Sequence, residues 1–120
     1  MTNKKARPQK LEGSTYQTTT GCGKLYVTIN KLDDAAFEVF ASMGKAGGCA
    51  SSQIESIGRL ISLGLRCGAT PEQVIKQLAG ISCHSPVFLS GAGLSEDNKI
   101  MSCADAIAKV IKDYISKVEE

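Results

Sequence analysis

Between Cys22 and Arg66 the apolar residues change their period, and that change confines the chain to a fold that joins strands to helices. Leu25, Val27 and Ile29 alternate with Lys24, Tyr26 and Thr28, a spacing that predicts a strand with one buried face. A polar connection, Asn30-Lys31-Leu32-Asp33-Asp34, leads to a second run in which Phe37, Val39 and Ala41 face one way and Glu38 and Phe40 the other. An antiparallel hairpin is the economical solution, with a connection longer than an ideal two-residue turn. Past a glycine-rich junction, Ile54, Ile57, Leu60, Ile61 and Leu65 recur at helical spacing, and Ser52 with Glu55 supplies a reciprocal cap at the start.

Two further helices follow. Thr70-Pro71-Glu72-Gln73 combines an N-cap, a first-turn proline and a cap partner, and opens a short helix carrying Val74, Ile75 and Leu78 to a stop at Gly80. Ser102 and Asp105 begin the last one, whose Ile107, Val110, Ile111, Tyr114, Ile115 and Val118 form an apolar stripe. Residues 82–99 have turn composition, with only Val87-Phe88-Leu89 suggesting a strand, and read as a mobile flap or a metal-clipped loop. The fold class expected is α+β, an N-terminal antiparallel hairpin packed against three main helices. A lone hairpin is marginal, so a third strand or a second subunit is needed to complete the sheet, and a homo-oligomer is expected.

A chain of 120 residues holds one core. Residues 1–19, with Lys4, Lys5, Arg7 and Lys10, read as a flexible basic arm, and residues 20–120 as a single domain. The net charge is only +2, and Trp is absent; both argue against nucleic acid as the partner. No run approaches the roughly 18 apolar residues of a membrane helix, and the polar start lacks a secretion signal. Five cysteines, an odd number, fit a reducing compartment better than a disulfide framework, and the expected location is cytoplasmic.

Thr20-Gly21-Cys22-Gly23-Lys24-Leu25, Gly44-Lys45-Ala46-Gly47-Gly48, Ile57-Gly58-Arg59-Leu60, Gly80-Ile81-Ser82-Cys83 and Ser102-Cys103-Ala104-Asp105 together resemble the TSCPD-type C-terminal domain of adenosylcobalamin-dependent, class II ribonucleotide reductases, over roughly residues 20 to 115. Met101 and Ala104 stand where the family string has threonine and proline. The resemblance implies an accessory module with a reductase-like protein as partner. It does not imply ribonucleotide reduction by these residues, which leave no room for the barrel, the cobalamin site and the radical cysteine chemistry.

Two sites of different chemistry follow from the residues. Gly44, Lys45, Gly47, Gly48, Ser51 and Ser52 sit between strand and helix, where free backbone N–H groups and a lysine can cradle a phosphate, with Arg59 adding a bidentate contact. The ligand expected there is a nucleotide or nucleotide-derived phosphorylated molecule, bound without catalysis. A tight structural turn explains the same glycines. Cys22, Cys83 and Cys103 lie at element boundaries, and with His84, or Cys49 in its place, they can supply four zinc donors, although no CxxC knuckle is present. The same thiols can instead form a redox relay, for which Cys103, near a helix start, has the setting for a lowered pKa.

Overall fold

The computed structural model describes residues 4–44, 48–83, 86–88 and 99–118. Its sheet has three antiparallel strands in the order β1 (Glu12–Thr20), β2 (Gly23–Leu32) and β3 (Ala35–Met43). Helix α1 (Gly48–Arg66) packs on β3, and α3 (Cys103–Val118) lies over β1 and β2. Helix α2 (Pro71–Leu78) packs against α3, while β4 (Val87–Phe88) pairs antiparallel with β5 (Lys99–Ile100) just before α3. This is the α+β arrangement of a small antiparallel sheet against three helices.

The third strand comes from the segment expected to be a flexible arm. Residues 12–20 pair with β2 along their whole length, from Glu12 opposite Lys31 to Thr20 opposite Gly23. Their sequence hid this because the inward positions are Tyr16, Thr18 and Thr20 rather than aliphatic residues. Threonine and tyrosine nonetheless suit a pleated, half-covered surface. The β2–β3 connection is tighter than expected: Asp33 and Asp34, with φ of 54° and 65°, form a two-residue turn between Leu32 and Ala35. Positive φ at both central residues is the geometry that matches strand twist, and aspartate tolerates it.

The core is built from Leu25, Val27 and Ile29 of β2, each wholly buried, with Val39 of β3, Ile54, Ile61 and Leu65 of α1, and Ile107, Val110, Ile111 and Tyr114 of α3. Burying each such aliphatic side chain contributes about 1.5–3 kcal/mol. Ile57, Val74 and Leu78 pack on it half-buried. Leu60, expected inside, is 68% exposed: at 100° per residue it falls roughly 120° from the Ile54–Ile61–Leu65 stripe. A register shift at Asn30/Lys31 leaves Phe37 as the extra residue of β3. That bulge breaks the expected alternation, so that Phe37, Glu38 and Val39 are buried in succession.

Each helix end has a local cause. Helix α1 starts a full turn before Ser52, so the expected Ser52–Glu55 cap is not made; the Ser52 hydroxyl donates to the Cys49 carbonyl, and Glu55 pairs with Arg59. The helix closes with Ala69 N–H on the Gly64 carbonyl and Gly68 N–H on that of Leu65, Gly68 taking φ of 108°, a paired closure that favours glycine. At α2 the cap is as expected, with Thr70 and Gln73 bonding reciprocally and Pro71 in the first turn.

The outer edge of β3 is sealed by α1. The Ser62 hydroxyl accepts from Val39 N–H and donates to the Val39 carbonyl, each at 2.9 Å. One turn earlier, a Cβ on Gly58 would lie 3.3 Å from both Val39 O and Ala41 N. The two small residues let the helix approach the strand edge closely enough for a side chain to replace a neighbouring strand. Ser62→Ala is expected to cost about 1–3 kcal/mol in denaturant unfolding, because it orphans a strand N–H and C=O together. Ser56→Ala, on the exposed side of the same helix, should stay within about 0.5 kcal/mol.

Candidate functional site

The β1–β2 turn, the segment after α2 and the first turn of α3 meet at one end of the sheet. Thr20 is their anchor: its hydroxyl donates to the Gly23 carbonyl at 3.0 Å and accepts from Cys22 N–H at 3.1 Å, and the Cys103 thiol donates to the same oxygen at 3.3 Å. Cys83 N–H donates to the Met101 carbonyl at 2.9 Å. Cys22 and Cys83 are exposed and Cys103 is half-buried. Three cysteines separated by up to 81 positions in the chain are thereby brought to one locality.

Burial pushes the Cys103 thiol up; the Thr20 hydrogen bond opposes this, while the Cys22 thiol, within side-chain hydrogen-bonding reach, and the Cys83 thiol add to it. The expectation of a lowered pKa from the helix start is therefore corrected: crowding by two other thiols and desolvation outweigh the helix end. Among the described residues, which include these three cysteines, no three of His, Cys, Asp and Glu stand close enough together to hold a metal ion. His84 lies outside the described residues, and Cys49 is exposed in the first turn of α1.

The geometry of this corner depends on Asp105. Its wholly buried carboxylate accepts from Gly80 N–H at 2.8 Å through one oxygen, and from Met101 N–H at 2.9 Å and the Lys109 ammonium at 2.6 Å through the other. Its own N–H donates to the Ser102 hydroxyl at 3.1 Å, which makes Ser102 the expected cap. Sequence reasoning saw only that cap. The extra signal was Lys109, four residues on, a spacing that sets an ammonium beside a carboxylate on a helix.

The glycine-junction residues are distributed differently from the expected cradle. Gly44 N–H donates to the Lys24 carbonyl at 2.9 Å, Gly48 opens α1, and Ser51 ends its first turn half-buried with Ser52 exposed just after it. Lys45 and Gly47 lie outside the described residues. Arg59 is two turns further along, about 12 Å of helix rise from Ser51, with its side chain 79% exposed. It lines a separate cleft of about 270 Å³ with Lys4, Arg7 and Arg66. In that cleft Arg7 forms a bidentate pair with Glu38, at 2.9 and 3.0 Å, and Asn30 donates to the same carboxylate at 2.6 Å. Burial would raise the Glu38 pKa, but these donors hold it below the usual carboxylate value.

Fold and site define a small α+β domain that gathers thiols from distant segments at one end of its sheet. The chain belongs to the TSCPD domain family, whose model matches residues 1–115. Comparison with curated proteins gave no match, nor did comparison with solved structures. The family segment here is Met101-Ser102-Cys103-Ala104-Asp105, and its parts divide the work: Ser102 caps, Cys103 reaches the thiol group and Asp105 ties the corner together. Alanine in place of proline leaves the helix start intact because the cap and the carboxylate already fix it.

Asp105→Asn is expected to lower stability by about 3 kcal/mol, since it leaves Lys109 beside a neutral partner. Burial opposes ionisation of Asp105, but Gly80, Lys109 and Met101 together depress its pKa. A depressed folded pKa contributes stability above the unfolded value of about 3.9 that is lost as pH falls through the folded value. Denaturant titrations from about pH 5 down to about pH 2.5 should therefore show a shallower decline for the variant than for the wild type.

Proposed function

We propose that this chain is a non-catalytic, metal-stabilised accessory domain, closed by Cys22, Cys83 and Cys103 with His84 or Cys49 as fourth donor, and serving a ribonucleotide reductase-like protein. The observation that carries the reading is the bonding of the Cys22 N–H and the Cys103 thiol to the Thr20 hydroxyl, with the Cys83 segment tied to Met101 beside them. Sulfur donors with a fourth nitrogen or sulfur suit zinc, which takes four such ligands tetrahedrally. Cys22 is on a two-residue turn and Cys83 on the segment after α2, both exposed; zinc binding requires both side chains to turn towards Cys103, since the three do not stand as a metal shell.

Zinc there would clip the segment after α2 and the start of α3 to the β1–β2 turn, displacing thiol protons as it bound. The same thiols support a second reading, a dithiol relay, through the side-chain approach of Cys22 to Cys103. The raised pKa of Cys103 makes it a weak attacking group at neutral pH, whereas a bound zinc ion would itself displace the thiol proton. The reductase-like partner is supported by family membership and by the resemblance to the C-terminal domain of those enzymes.

Elemental analysis of protein purified without chelator is expected to give about one zinc per chain, and chelator should lower its melting temperature by several degrees. Cys83→Ser and Cys103→Ser should each lose the zinc. Folded protein with under about a fifth of an equivalent of any transition metal, and melting unchanged in chelator, would overturn the reading. A mass two units lower that maps to a Cys22–Cys103 disulfide in such metal-free protein would transfer the site to the relay.

A further inference from the structure

The cleft between the N-terminal segment, β3 and the C-terminal half of α1 is at the far end of α1 from Cys49, and no step of the metal reading uses it. Its cations are employed unequally. Arg7 is committed to Glu38, the one acidic residue of the lining. Arg66 is held from two sides: its Nε and Nη2 donate to the Lys5 carbonyl at 3.1 and 2.9 Å, and its guanidinium stands 5.4 Å from the centre of the Phe37 ring. Lys5 N–H returns a bond to the Arg66 carbonyl at 2.9 Å. This reciprocal latch fixes the N-terminal segment to the end of α1 and keeps Lys4 at the rim.

Arg59 makes only a long, solvated pair with Glu55 at 3.6 Å, an arrangement that gives way readily to a better anion. The lining therefore carries four cations against one carboxylate. Beside them are two apolar groups that the core does not use, Phe40 at 54% exposure and Leu63 at 39%. A solvated charged face needs no exposed aromatic ring, and an apolar contact surface needs no concentration of guanidinium groups. A ligand with an anionic group at one end and a flat ring at the other accounts for both.

We infer that this cleft binds a small phosphorylated molecule carrying an aromatic ring, with Arg59 and Lys4 on the phosphate and Phe40 against the ring. Guanidinium forks suit phosphate oxygens, and an aromatic side chain accepts any base face without sequence preference. The volume, about 270 Å³, lies just below the usual range of ligand pockets, and the cleft is open to solvent, so it would hold a nucleotide-sized ligand partly enclosed. The inference shifts phosphate recognition away from the glycine junction and keeps Arg59 as the shared residue.

Calorimetry on the full chain with nucleoside 5′-monophosphates, the corresponding nucleosides and inorganic phosphate tests it. At least one monophosphate should bind about tenfold more tightly than either of its halves, and raised salt should weaken it. Arg59→Gln and Lys4→Gln should each weaken that monophosphate about fivefold or more at unchanged melting temperature. Phe40→Leu should reduce its advantage over inorganic phosphate while leaving phosphate binding unchanged. Absence of binding by every monophosphate at millimolar concentration, affinity indifferent to both cation variants, or inorganic phosphate binding as tightly as the monophosphates would each overturn the inference.

Discussion

The carboxylate of Asp105 is the interaction on which the thiol corner rests. An anion wholly removed from water is costly unless its lone pairs are occupied, and here two backbone N–H groups and an ammonium occupy them. Those donors come from the end of α2, from the residue after β5 and from α3 itself, so satisfying one charge fixes three segments relative to each other. The Cys83 N–H bond to Met101 and the Cys103 bond to Thr20 are built on that frame. Helix α2 contributes no fully buried residue of its own, so the Gly80 bond adds to the half-buried packing of Val74 and Leu78 in holding the segment after it.

On the same face of the sheet as α3, but at its β3 margin, α1 covers an edge that would otherwise present unpaired backbone to a neighbouring molecule. Gly58 and Ser62 achieve this by being small, the one permitting contact and the other supplying a donor and an acceptor. The same close approach sets Arg59, Leu63 and Arg66 facing the N-terminal segment. Edge protection and the basic cleft are thus two results of one helix placement. Gly13 shows a similar economy: a Cβ there would collide with the Ile29 carbonyl and with the Asn30 side chain, whose amide supports Glu38.

What could be read from the sequence was whatever is decided locally. The cap at Thr70, Pro71 and Gln73, the alternation of Leu25, Val27 and Ile29, and the stripe of α3 each need only neighbouring residues, and each is in the structure as expected. Strand β1 escaped notice because its inward face is hydroxylated and its approach is basic. The tight Asp33–Asp34 turn and the bulge at Phe37 escaped because both are settled by pairing across strands. The thiol candidates were legible as residue types at element boundaries, but their meeting depends on Asp105 and Thr20, which act across distances in the chain that no spacing rule covers. The cleft was less legible still, because Lys4, Arg7 and Arg66 acquire their meaning only when the N-terminal segment is latched to the end of α1.

The extra residue in β3 has a consequence for how this strand can vary. In a regular strand, three consecutive side chains divide between two surfaces, and here the helices pack on the one that carries Leu25, Val27 and Ile29. With the bulge, Phe37 fits under a guanidinium, Glu38 receives the N-terminal segment and Val39 enters the core. The strand therefore changes phase midway, as a ratchet advanced by one tooth. Deleting Phe37 would close the bulge and leave Ala36 opposite Lys31 and Glu38 opposite Asn30 as before, so what the extra residue supplies is a ring for Arg66, and it is the identity of the side chain that this position holds.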